Sequence, residues 1–148
     1  MPSTHVSLHF HVVFSTKERV PKIGPEVRGR LHAYLGGVIR NIGGVALAVG
    51  GTADHVHLLC GLKATHAVAD ILRKVKCDSS RWTHDELRMP EFAWQEGYGA
   101  FSVSRSNVDS VRHDVLDQEN HHRARSFQEE YREFLQKHQI DFDERYLW

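Results

Sequence analysis

The chain has 148 residues, 41% hydrophobic and 26% charged, and its 19 Lys/Arg balance 19 Asp/Glu. These totals fit one domain with a core of its own and exclude a disordered chain. No run approaches the roughly 18 apolar residues of a membrane span, and residues 1–5 lack the basic start and apolar stretch of a signal peptide, so a cytoplasmic protein with no membrane partner is expected. The zero net charge conceals an asymmetry: residues 1–83 carry eleven Lys/Arg against five Asp/Glu, and residues 84–148 carry eight against fourteen. A basic half of this kind can attract a polyanion, and equally the two halves can attract each other. Cys60 and Cys77 form no C-x-x-C pair and read as buried free thiols.

In chain order, residues 6–15 are rich in β-branched and aromatic side chains and read as a strand, with Phe10, Val12 and Phe14 on one face. Gly24-Pro25-Glu26 opens a helix with proline in its first turn. Val27, Leu31, Leu35, Val38, Ile39 and Ile42 form its apolar stripe, and Gly43-Gly44 stops it. Residues 45–49 are a second strand, Gly50-Gly51-Thr52 a turn, and residues 55–60 a third strand in hairpin relation to it. Val68, Ile71, Leu72 and Val75 mark a second helix. After a loop containing Pro90, residues 100–104 give a fourth strand. Ser106-x-x-Asp109 resembles a capping box opening a third helix to about His122, and a short acidic helix follows near residues 127–137.

The order βαββαβ predicts an α+β, ferredoxin-like sandwich over residues 1–148: a four-stranded antiparallel sheet with helices on one face, plus C-terminal helices. In that topology the first and third strands are central neighbours. Val56, Leu58 and Cys60 then face the helices, leaving His55, His57 and Leu59 on the other side, together with His9 and His11. His-x-His on a strand sets two nitrogen ligands on one face, roughly 7 Å apart along the chain and able to converge on a cation. Alone the motif is weak, since His9-Phe10-His11 has the same spacing.

Several blocks, in order, resemble the small single-tyrosine HUH transposases of bacterial insertion sequences and their REP-associated relatives. They are His11-Val12-Val13-Phe14-Ser15-Thr16-Lys17-x-Arg19, Asp54-His55-Val56-His57-Leu58-Leu59, Lys76-x-x-Ser79-Ser80-x-Trp82, residues 94–104 from Trp94 to Ser104, and the ending Asp143-Glu144-Arg145-Tyr146-Leu147-Trp148. The resemblance implies a transposase that binds hairpin-bearing single-stranded DNA for metal-dependent cleavage and transposition. His55, His57 and Gln118 would hold Mg²⁺ or Mn²⁺, and a tyrosine four residues before the glutamine would attack the phosphorus. Such a spacing puts nucleophile and ligand on one helix face. It also implies a homodimer whose sites are each completed by the partner's third helix, and DNA contacts from Lys17, Arg19, Arg73, Lys76 and Arg81.

Here Asp114 stands in the tyrosine's slot. A phenol gives a stable adduct, whereas a carboxylate would give a labile acyl phosphate. Asp114 therefore marks a DNA-binding protein that has lost cleavage, a further ligand or base in a hydrolytic nuclease, or a substitute nucleophile. Tyr34, Tyr98, Tyr131 and Tyr146 fall outside the catalytic helix and read as structural, as do Trp82 and Trp94. The binding-class alternative is a domesticated, non-catalytic hairpin-binding dimer. A nucleotide hydrolase of the histidine-triad kind would need a further histidine where Leu59 stands.

Overall fold

A computed structural model describes residues 3–118 and 126–147, the Tyr146 side chain excepted. Its strands are β1 (Leu8–Ser15), β2 (Val45–Gly51), β3 (His55–Leu62) and β4 (Gly99–Val103); its helices are α1 (Pro25–Asn41), α2 (Val68–Glu86), α3 (Val108–Leu116) and α4 (Phe127–Lys137). The four strands form one antiparallel sheet in the order β2-β3-β1-β4, so the expected central pair and the α+β architecture hold. Among the described residues no helix is long and apolar enough to cross a membrane.

Local chemistry accounts for the element boundaries. Pro25 occupies the first turn of α1, where its missing N–H costs nothing. At the far end Gly43 takes φ 89°, its N–H donating to Arg40 O while the Gly44 N–H donates to Ile39 O. This paired return satisfies the last carbonyls and turns the chain into β2. The α1 stripe buries Leu31, Leu35, Val38 and Ile39 against the sheet, with Val12, Phe14, Val56, Leu58 and Cys60 opposite and Ile71, Leu72 and Val75 from α2 beside them. Each fully buried aliphatic side chain there contributes about 1.5–3 kcal/mol relative to exposure.

Four details differ from the sequence reading, the first being that Cys60 is buried but Cys77 lies on the exposed side of α2. Residues 50 and 51 extend β2 rather than turning, because Gly50 and Gly51 pair with His57 and Val56; the turn falls at residues 52–54. The third helix starts at Val108 behind Asn107, with no side-chain cap bond, so the Ser106/Asp109 capping box does not form. That helix also stops at Leu116, where Asp117 leaves helical geometry at φ −106°, ψ 28°; residues 119–122 of the expected continuation lie outside the described residues.

The C-terminal helices take the face opposite α1 and α2. Val108 and Val115 of α3 pack on Ala48 and Leu59, and Phe127 and Leu135 of α4 pack on Val13 and Phe101. Gly50 makes the first contact close: a Cβ on it would lie 1.9 Å from the Val115 carbonyl oxygen. Both faces of the sheet are therefore covered, and the histidine face lies beneath α4.

Candidate functional site: a histidine cluster beneath the fourth helix

Strand alternation places His55 and His57 on the face away from α1 and α2, as the spacing predicted, and their ring centroids are 5.1 Å apart. His11 joins them from β1, with its centroid 5.0 Å from that of His57. His9 does not, because its register partners are Gly61 and Val103 toward the other end of the strand. All three clustered imidazoles are buried.

Each ring is oriented by a neighbour. The His55 Nδ1–H donates to the Asp54 carboxylate at 2.8 Å, with the Thr52 hydroxyl 3.1 Å from the same nitrogen. This partner fixes the tautomer in which Nε2 is the basic atom, an arrangement common to metal-ligating histidines. Burial alone would raise the Asp54 carboxyl, but the His55 hydrogen bond and charge, the Thr52 hydroxyl and the Arg19 charge outweigh it and hold it below the ordinary carboxylate value. His11 Nε2 and His57 Nδ1 share a hydrogen bond of 2.8 Å. On the far side of the His57 ring, Nε2 lies 3.3 Å from the buried Glu130 carboxylate of α4. Phe127 stacks on His55 at 4.2 Å between centroids, and Phe134 meets His11 edge-on at 5.1 Å.

Burial, reinforced by the nearby His138 charge, lowers the His11 pKa to about 4; burial and the Arg28 charge likewise lower that of His32 to about 4. Between those values and the unfolded value near 6.5 the unfolded chain binds more protons, so stability rises with pH across this window. Unfolding in urea at pH 7.5, 6, 5 and 4 is expected to show a midpoint that falls progressively below pH 6.5. A midpoint unchanged down to pH 4.5 would contradict neutral, buried imidazoles.

The expected third ligand and the nucleophile position separate here. Gln118 is buried, and its Nε2–H donates to the Asp114 carbonyl at 2.8 Å, closing the end of α3. The Asp114 side chain is exposed. The break at Asp117 removes the i, i+4 alignment that a continuous helix would have given the pair. Packing of α3 is on β2 and β3 of its own chain.

The five basic residues divide by surroundings. Lys17, Arg73 and Arg81 are exposed, Arg73 pairing with Asp70 at 3.1 Å. Arg19 is half-buried with φ 55°, and the Gln128 amide, turned so that its oxygen accepts, lies 2.8 Å from its guanidinium. Lys76 points inward, donating to the carbonyls of Gln95, Glu96 and Gly97 beneath the Phe14 and Tyr98 rings. Burial lowers its pKa to about 8. Of the aromatic residues read as structural, Trp94 Nε1–H donates to Ser79 Oγ, Tyr34 stacks on Trp82, and Tyr131 packs over Gly99 and near Phe101, whereas Tyr98 is exposed and the Tyr146 side chain lies outside the described residues. Asp54, Phe127 and Glu130 were not singled out for the site. Asp54 adjoins the His-x-His motif in sequence, which is a usable signal; Glu130 sits in an acidic helix whose charges look like a solvated face.

Chemically, the arrangement is a pair of buried, oriented imidazoles on one face of an antiparallel sheet, with Arg73 and Arg81 on α2 across the sheet from it. Residues 4–118 match the IS200-like transposase family, and the chain belongs to that family. Among solved structures it is similar to a Deinococcus radiodurans R1 protein assigned as a transposase, at 23% identity and TM-score 0.64 over 78% of this chain and 93% of that one. It is also similar to a REP-associated tyrosine transposase bound to a REP hairpin, at 14% identity and TM-score 0.54 over 78% and 67% of the two chains. No curated protein matches it.

Among the described residues no group of three or more His, Cys, Asp or Glu is arranged to hold a metal ion. The donors fit such an ion in part. His55 and His57 are neighbouring imidazoles with oriented rings, and the Gln118 amide carries a neutral oxygen donor while its Nε2–H closes α3.

Proposed function

We propose that this chain binds hairpin-bearing single-stranded DNA as a transposase-type protein. His55, His57 and Gln118 would hold Mg²⁺ or Mn²⁺, and Asp114 in the tyrosine slot impairs strand cleavage. The observation that carries the reading is an oriented pair of buried histidines in a chain whose residues 4–118 belong to the IS200-like transposases. When bound, the divalent ion supplies Lewis acidity and a template for a phosphodiester oxygen.

The chain's own residues do the rest. Asp54 keeps His55 in the tautomer that presents Nε2, and His11 orients His57. Phe127 and Glu130 exclude water from the pair and fill the space that a cation and a phosphate need, so DNA engagement requires α4 to shift. Lys17, Arg73 and Arg81, with Arg19 at the rim, neutralise backbone phosphates, giving salt-sensitive binding. A homodimer in which α3 serves the partner's site would exchange the intrachain packing of Val115 and Gly50 for the same packing between chains.

The exposure of Asp114 favours the second reading, a domesticated, non-catalytic hairpin-binding dimer. Incubation with hairpin-bearing single-stranded DNA and Mn²⁺ separates the two: a covalent adduct or a nicked strand sinks the binding-only reading, and binding with neither supports it. Hairpin affinity is expected to fall steeply as salt rises, and His55→Ala with His57→Ala to abolish Mn²⁺ binding by calorimetry. Asp114→Tyr then asks whether the nucleophile alone is missing. An adduct in that variant shows the remaining site intact.

A further inference from the structure

At the β2 edge of the sheet, α1 on one face and the end of α3 on the other border a cavity of about 280 Å³. That is many times a water's share of about 30 Å³. Its polar lining comes from Arg28 and His32 of α1 and from Asp117 and Gln118, with Gly50 and Leu116 between them. Among the described residues the buried His32 Nε2 has no hydrogen-bond partner. A buried polar atom in that condition is unfavourable, and a ligand that pairs with it recovers the loss on binding.

The lining also says what kind of ligand suits it. A guanidinium only donates, a carboxylate only accepts, and an amide does both. His32 is neutral at pH 7, held so by burial and by the Arg28 charge. Arg28 and Asp117 cancel in formal charge and His32 is neutral, so the lining offers no net positive charge to a phosphate. It is a good seat for an uncharged planar ring whose edge carries donors and acceptors together. Gln118 lies on the wall, so the cavity adjoins the proposed ligand set.

Resting on the reading that the chain binds single-stranded DNA, we propose that the β2-edge cavity receives one unpaired base of that strand, hydrogen-bonded by His32 and its neighbours. Gly50 and Gly51 contribute backbone to that stretch of the cavity wall.

The test uses hairpin oligonucleotides with a single-stranded flank in which each base in turn is removed as an abasic site. Binding is measured by anisotropy for the unaltered protein, His32→Ala and His32→Gln. One abasic position is expected to weaken binding to the unaltered protein about tenfold, the size of a lost base contact. His32→Ala is expected to weaken binding of intact DNA to a similar degree and to be insensitive to that abasic position. His32→Gln, which retains a hydrogen-bonding group, is expected to recover part of the loss and keeps the comparison available if the alanine variant folds poorly. A flat abasic profile in the unaltered protein, or an abasic loss that persists undiminished in His32→Ala, overturns the pocket while leaving DNA binding in place. Absence of hairpin binding by the unaltered protein overturns the parent reading and the pocket with it.

Discussion

Gly50→Ala is expected to destabilise the protein by about 2–3 kcal/mol and to loosen α3 selectively. The added methyl would sit 1.9 Å from the Val115 carbonyl oxygen, a backbone atom that cannot rotate away as a side chain tip can. Either the sheet edge or the helix must move, and overpacking of a fitted contact costs roughly 1–3 kcal/mol before any loss of burial is added. The burial at risk is that of Val108 and Val115 on Ala48 and Leu59. Urea unfolding gives the total, and amide exchange over residues 108–116 shows whether the loss is local. Gly29→Ala is the matched control, since an added Cβ there meets nothing within 4 Å in an exposed helical position. It should stabilise by up to about 1 kcal/mol. Equal unfolding midpoints for Gly50→Ala and the parent would show that α3 does not rest on this strand in solution.

His57→Ala is expected to cost about 3 kcal/mol or more, through lost buried packing, the His11 hydrogen bond and the approach to Glu130. His57 Nε2 lies 3.3 Å from a carboxylate that is 1% exposed, and its other nitrogen bonds to His11. Breaking a buried charged or hydrogen-bonded pair by removing one member typically costs about 3–5 kcal/mol; replacing both with apolar groups is frequently neutral. His57→Ala combined with Glu130→Leu should therefore be more stable than His57→Ala alone. A double-mutant cycle from denaturant unfolding is expected to show a coupling of about 2 kcal/mol. Simple additivity of the two single changes would mean that α4 does not seat Glu130 on the histidine.

The two variants probe different helices on the same face of the sheet. Gly50 governs whether α3 lies on β2, and the His57–Glu130 pair governs how α4 closes over the imidazoles. Measured together, they separate the seating of one helix from that of the other.

Much of this architecture was determined by the sequence alone. Period-two alternation assigned Phe10, Val12 and Phe14 to one face of β1 and His55 and His57 to the opposite face of β3, because side-chain direction in a strand is a local property. The α1 stripe and its Gly43-Gly44 stop were equally local, as was the α+β order of elements. Only tertiary structure decided what covers the histidines. An apolar face requires a cover, but alternation cannot say which segment provides it, so Phe127 on His55 and Glu130 against His57 were not legible in an acidic helix. The same holds for Gln118 and Asp114: spacing by four predicts one face on a continuous helix, and the break at Asp117 turns one residue inward and leaves the other in solvent. The His55-Val56-His57 face could be read from residue order, whereas its closed state arises from contacts between segments more than 70 residues apart, fixed only when the two faces of the sheet are packed.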